Sequence, residues 1–204
     1  MRLAALFLLT TAAQAEPPSA VRIENSEEAG TCTAAPLAPD LIVTAAHCLA
    51  PGREGYRAQP TAGAAQGIVR VHPHPVFALA PPGPVRFRFD VALAELAAPL
   101  GSAPLPVGPP PVPGERLAIE TWRRGEPAPQ RRGCAVLAAP AGAVVLDCAV
   151  GTGHSGAPVL RETGEGAEIV AVLVATLTFE GRPAALGVAL QDRLEVLLQA
   201  AGRD

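Results

Sequence analysis

Large rings are nearly absent from this chain, which carries one Trp, one Tyr and five Phe in 204 residues, 3 % aromatic in all. Its core must therefore be packed from Val, Leu, Ile and Ala. A strong charge of one sign is lacking too. The formal net charge of −3 offers no basic surface to track phosphates, so nucleic acid is excluded as the expected partner. Beyond residue 15 no long apolar run occurs, and nothing there reads as a membrane span. Neither CxxC nor HxxxH spacing is present, which argues against a metal site. His72 and His74, flanking Pro73, are the remote exception as a ligand pair. No internal repeat is evident.

What is there begins with MRLAALFLLTTAAQA, residues 1–15: a basic start, an apolar run from Leu3 to Leu9, then Ala13-Gln14-Ala15 as a small-x-small cleavage signal. This is the pattern of a secretory signal peptide. Its apolar run is too short to span a bilayer, and no Cys stands at the cleavage point to accept a lipid. A mature chain from near Glu16 is expected to be exported, periplasmic or secreted, free of the membrane and monomeric. Cys32, Cys48, Cys134 and Cys148 allow three pairings. Cys32 with Cys48 and Cys134 with Cys148 are favoured, because each pair is close in sequence and lies in its own half. Each closed loop stabilises by about 3 kcal/mol in the chain-entropy model.

Short apolar runs between Gly and Pro dominate the rest: residues 41–45, 67–72, 91–96, 116–121, 134–138, 143–149, 168–176 and 185–190. These read as strands spaced for a barrel or sandwich. Only residues 191–201 carry a helical pattern, with Leu194, Leu197 and Leu198 on one face. Residues 99–114 hold seven prolines, which deny the backbone the donors of a helix or central strand. That stretch reads as a stiff connector between halves spanning 16–98 and 115–204. Residues 80–84 and 125–130 read as surface loops.

Three signals carry chemistry. In Leu41-Ile42-Val43-Thr44-Ala45-Ala46-His47-Cys48 an apolar strand ends in a His, and a disulfide at Cys48 would fix the turn that aims it. A general base needs such rigidity, since its nitrogen must reach the proton it takes. In Gly153-His154-Ser155-Gly156-Ala157-Pro158 small neighbours let a substrate backbone approach the Ser. They also leave the amides of Gly153 and Ser155 to converge where an oxyanion would sit. Asp90 opens the apolar run of residues 91–96, and a half-buried carboxylate there needs a donor such as the His47 ring N–H.

Together the Thr-Ala-Ala-His-Cys run, the Asp-Val-Ala-Leu run from 90 and the Gly-x-Ser-Gly-x-Pro run from 153 resemble the signatures of trypsin-like, chymotrypsin-fold serine peptidases, in that family's order. The sixteen-residue spacing of Cys32 and Cys48 and the Val71-His72-Pro73 segment are similar to family features as well. The resemblance runs from about Thr31 to Leu190. It implies an all-β fold of two six-stranded antiparallel barrels with a C-terminal helix, and a catalytic triad of His47, Asp90 and Ser155. It implies an oxyanion hole at Gly153 and Ser155, protein or peptide substrates, an acyl-enzyme route and no cofactor. It also places the floor of the specificity pocket near Ala149 and the substrate-pairing strand near Val174, Ala175 and Thr176. None of these is acidic, so a Lys or Arg preference lacks its counter-charge and Thr176 narrows the pocket toward small apolar side chains.

Two residues depart from the family pattern. His154 stands where digestive members carry an Asp that receives the new N-terminus on activation, so that switch is not expected here. It reads as an exposed spectator or as a pH-sensitive neighbour of the oxyanion site. Ala157 stands where Gly is usual, and a positive φ there would strain Ala by about 1 kcal/mol. An alternative function follows from these departures: a trypsin-like binding module that keeps the barrels without turnover. Retention of all three triad residues speaks against it.

Overall fold

The structure, a computed structural model, describes residues 19–25, 28–49 and 55–203. The signal peptide expected at residues 1–15 lies outside them. Six strands, β1 (Val21–Asn25), β2 (Glu28–Ala38), β3 (Leu41–Thr44), β4 (Tyr56–Gln59), β5 (Gln66–Pro73) and β6 (Ala92–Leu96), close into one barrel in the order β1-β2-β3-β6-β5-β4. Six more, β7 (Arg116–Thr121), β8 (Gln130–Ala138), β9 (Ala143–Leu146), β10 (Pro158–Thr163), β11 (Gly166–Phe179) and β12 (Arg182–Ala189), close a second in the order β10-β11-β12-β9-β8-β7. Every pairing within the two barrels is antiparallel. Two short helices, α1 (Pro75–Leu79) and α2 (Pro84–Phe87), stand between β5 and β6, and α3 (Gln191–Ala200) follows β12. The expected all-β class, twin barrels and terminal helix are what the chain forms.

The strands follow from side-chain pattern. β1 alternates, burying Val21, Ile23 and Asn25 and turning Arg22 and Glu24 outward. β3 and β9, Leu-Ile-Val-Thr and Ala-Val-Val-Leu, are buried along their whole length, which suits β-branched and aliphatic residues packed on both faces. Trp122 is the only buried large ring among the described residues, and aliphatic side chains fill the rest of the core. One cluster of the core joins the first barrel to Leu160, Ile169, Val172, Val174 and Leu197 of the second half. The barrels thus share packed apolar surface.

Three polar ties reinforce that junction. Glu120, 2 % exposed, accepts from the amides of Ser19 and Ala20 and from Arg131. Buried carboxylates need such donors, and these fasten the start of β1 to the second barrel. Trp122 Nε1 donates to the Ala20 carbonyl at 2.9 Å. The proline-rich connector carries no regular element and is pinned at both sides, Leu105 N–H to Pro36 O and Ile169 N–H to Pro106 O. Disulfides join Cys32 to Cys48 and Cys134 to Cys148, one in each barrel.

Candidate active site

His47 sits in the 3₁₀ turn Ala46–Cys48 that ends β3, and the Cys32–Cys48 disulfide ties this turn to β2. Its ring Nδ1 lies 2.6 Å from Asp90 Oδ2, and its backbone N–H donates to Asp90 Oδ1 at 2.9 Å. Asp90 is 1 % exposed, so its carboxylate depends on these donors. An ionised carboxylate only accepts, which puts the ring proton on Nδ1 and leaves Nε2 of the neutral imidazole as a base. No hydrogen bond within 3.5 Å joins His47 to the Ser155 hydroxyl among the described residues.

Ser155 reaches the same junction by backbone contacts from the other barrel. Thr33 on β2 donates its N–H to Ser155 O at 2.8 Å and its hydroxyl to Gly153 O at 2.8 Å. The Trp122 N–H in turn donates to that hydroxyl, and Thr44 Oγ1 donates to Thr33 O at 2.7 Å. Gly156, at φ +79, packs so closely that a Cβ would overlap the Thr33 carbonyl and the Thr44 hydroxyl. Gly153, at φ +95, would place a Cβ 2.5 Å from Trp122 O. Both glycines are required by close approach as well as by conformation. Thr33 and Trp122 were not foreseen from the sequence, since only the barrel contact gives them a role; Thr44 stood inside the His motif.

The amides of the Ser155 turn divide in a telling way. Those of Gly151, His154, Gly156 and Ala157 donate to His154 Nδ1, Gly151 O, Leu173 O and His154 O. The Gly153 and Ser155 N–H groups donate to no acceptor among the described residues, which leaves two donors of one turn for an incoming oxygen. Ala157 is wholly buried and outside the positive-φ region, so it carries no strain where Gly was expected. His154 is half-buried rather than an exposed spectator. Its Nδ1 accepts from Gly151, its Nε2 is buried without a partner among the described residues, and burial, then Arg123 and Arg132, pushes its pKa below the ordinary value.

A cavity of about 470 Å³ beside Ser155 is lined by Val150, Gly151, Thr152, His154, Ser155, Leu173, Ala175 and Thr176. Ala175 and Thr176, expected on the substrate-pairing strand, are part of that lining. Ala149 is exposed with its carbonyl accepting from Arg132 and adjoins Val150, where the lining starts, while the Cys134–Cys148 disulfide holds the preceding position on the barrel. Val174 faces a different cavity. β11 pairs with β10 only as far as Val172, so its edge from Val174 onward lies open beside the cavity. His72 pairs with Glu95 at 2.8 Å and His74 caps α1, so the two do not form a ligand pair. The groups Cys32, His47, Cys48 and Cys134, Asp147, Cys148 have ligand-like spacing, but their sulfurs are in disulfides rather than thiolates.

Residues 30–172 match the family model of the trypsin-like peptidase domain. No curated protein matches the chain. Among solved structures, one of a Glu endopeptidase in complex with MPD superposes with a TM-score of 0.74 at 15 % identity, covering 91 % of each chain. At that identity the likeness bears on the fold alone.

Proposed function

Because the chain belongs to the trypsin-like peptidase family, we propose that it is an exported serine endopeptidase with Ser155 as nucleophile, His47 as base and Asp90 as orienting carboxylate. The observation that supports this most is the pairing of the buried Asp90 carboxylate with the exposed His47 ring, at 2.6 Å, in the barrel whose Thr33 binds the Ser155 turn. Ser155 Oγ attacks the peptide carbonyl as its proton passes to His47 Nε2. Asp90 keeps the other ring nitrogen protonated and stabilises the imidazolium. The amides of Gly153 and Ser155 receive the oxyanion. His47 then protonates the leaving amine, and water repeats the sequence on the acyl-enzyme.

The open edge of β11 at Val174–Thr176 suits an extended peptide added as one more strand. The residue whose carbonyl is attacked enters the cavity beside Ser155. Its lining carries no carboxylate to pair a basic side chain and suits an uncharged one of modest size. The test is labelling by a fluorophosphonate probe with Ser155→Ala as control. Labelling confined to the wild type is expected; equal labelling of both would remove Ser155 from the role of nucleophile.

A further inference from the structure

Thr33, on β2, is wholly buried, and each of its polar groups has a partner in or beside the cleft. Its hydroxyl accepts from the Trp122 N–H at 3.0 Å and donates to Gly153 O at 2.8 Å. Its own N–H donates to Ser155 O, and its carbonyl accepts from the Thr44 hydroxyl. We infer that Thr33 is a positioning residue for catalysis, whose hydroxyl sets the aim of the two amides that receive the oxyanion. The inference rests on the peptidase reading given above.

The first support is directional. A hydroxyl carries one proton. With the Trp122 N–H pointing at its oxygen, the Thr33 proton is committed to Gly153 O, and the incoming bond polarises it for stronger donation. The peptide unit between Gly153 and His154 is then held at both ends, because its N–H donates to Gly151 O at 3.1 Å. A peptide is planar, so a unit fixed at its oxygen and at its hydrogen cannot turn over. On one side of this unit lies the amide of Gly153, and on the other that of Ser155. Gly153 stands at φ +95 with no side chain of its own to hold it. Thr33 supplies the restraint that the glycine lacks.

Reach is the second support. The same residue bonds the carbonyl of Ser155 and, through Thr44, the strand that runs into the His47 turn. Its neighbour Cys32 is joined to Cys48, which adjoins His47. The hydroxyl nucleophile and the imidazole base are thus both referred to one buried point of β2. Thr33 and Thr44 are 0 % exposed and Trp122 is 3 % exposed, so these bonds are made away from water, where losing a partner is costly.

The third is that the acid–base pair is supported separately. Asp90 accepts from the His47 backbone N–H and pairs with its ring Nδ1. Arg193 of α3, 5 % exposed, donates from Nε to Arg88 O at 2.9 Å, just ahead of Asp90. Gly142 makes room for it, since a Cβ there would overlap the guanidinium. Removing the Thr33 hydroxyl therefore leaves the imidazole and its carboxylate in place. What changes is the turn: Thr33→Val fills the same space, but the Trp122 N–H and the Gly153 carbonyl lose their partner.

The experiment uses the mature, disulfide-intact protein, counted by titration with the fluorophosphonate probe so that rates refer to competent sites. Thr33→Val is expected to lower kcat per titrated site about ten- to a hundredfold, less than outright loss of an oxyanion donor, with KM held within about threefold. A peptidyl trifluoromethyl ketone, which forms an oxyanion on Ser155, is expected to bind more weakly by a similar factor, while the pH profile of kcat/KM keeps its acid limb. Thr33→Ser, which returns the hydroxyl, is expected to recover most of the loss. A residue that only holds the fold would instead lower the denaturant midpoint and the number of titrated sites, with kcat per site and ketone affinity unchanged. That result would overturn the inference alone, as would Thr33→Ser behaving like Thr33→Val. Thr33→Ala is read in the same way should Thr33→Val not fold. In the wild type itself the Thr33 hydroxyl proton is expected to resist exchange with water by NMR, and free exchange would overturn the inference whatever the variants do. Absence of labelling in the wild type would sink the peptidase reading and the inference together.

Discussion

The two barrels furnish their halves of the cleft by different physical means. The first supplies side chains: a carboxylate 1 % exposed and an imidazole fixed by it, on a turn closed by a disulfide. The second supplies backbone: a turn at Gly153–Gly156 held by Thr33 and Trp122, with two amide protons that meet no acceptor among the described residues. The first half is therefore sensitive to charge, and the second to shape. Electrostatic stabilisation works only if both are in place before the substrate arrives.

Removing the charge and keeping the shape is the largest test. Asp90→Asn is expected to lower kcat by about 10⁴-fold through the wrong imidazole tautomer, with circular dichroism unchanged. A loss under tenfold would mean that the first barrel contributes shape as well. The converse is Gly156→Ala, which changes no charge but forces a Cβ against Thr33 and Thr44 at φ +79. Destabilisation of about 3 kcal/mol is expected, read as a fall in denaturant midpoint together with slowed probe labelling. Opening either disulfide by paired Cys→Ser change should cost a similar amount, about 3 kcal/mol. Only loss of Cys32–Cys48 is expected to lower kcat as well, because Cys48 adjoins His47.

The smallest effect sharpens the comparison by pH. His74 and His154, one in each half, are both pushed below the ordinary 6.5 by burial, with Arg193 adding to the first and Arg123 and Arg132 to the second. The unfolded chain then binds more protons than the native one in the window just under 6.5. Stability is full above that value and declines as pH falls through the lowered folded values. Urea titrations in this window should show the slope, and His154→Gln should flatten part of it. A slope of the opposite sign would mean that these rings are charged in the folded protein.

Much of this was legible in the chain itself, and what was hidden has common causes. Strands such as β3 and β9 announce themselves as unbroken aliphatic runs. β1 was missed because its alternation spans only Val21 to Asn25, β4 because it has four residues, and β2 and β10 because Pro36 and Pro158 punctuate them. α1 and α2 hid likewise, at five and four residues, although each has a Pro in its first turn. His47, Asp90 and Ser155 could be named because each lies in a contiguous motif. Thr33 and Trp122 could not, since their parts in the cleft depend on which surfaces meet across the barrels.

The Arg193 anchor has a temporal side. It grips the carbonyl of Arg88, 105 positions earlier, two residues before the carboxylate that orients the imidazole. A polypeptide made from its N-terminus cannot close this clasp until Arg193 itself has emerged, long after Arg88 and Asp90. The segment that carries this carboxylate is thus fastened late, by a residue added 105 positions after the carbonyl it holds.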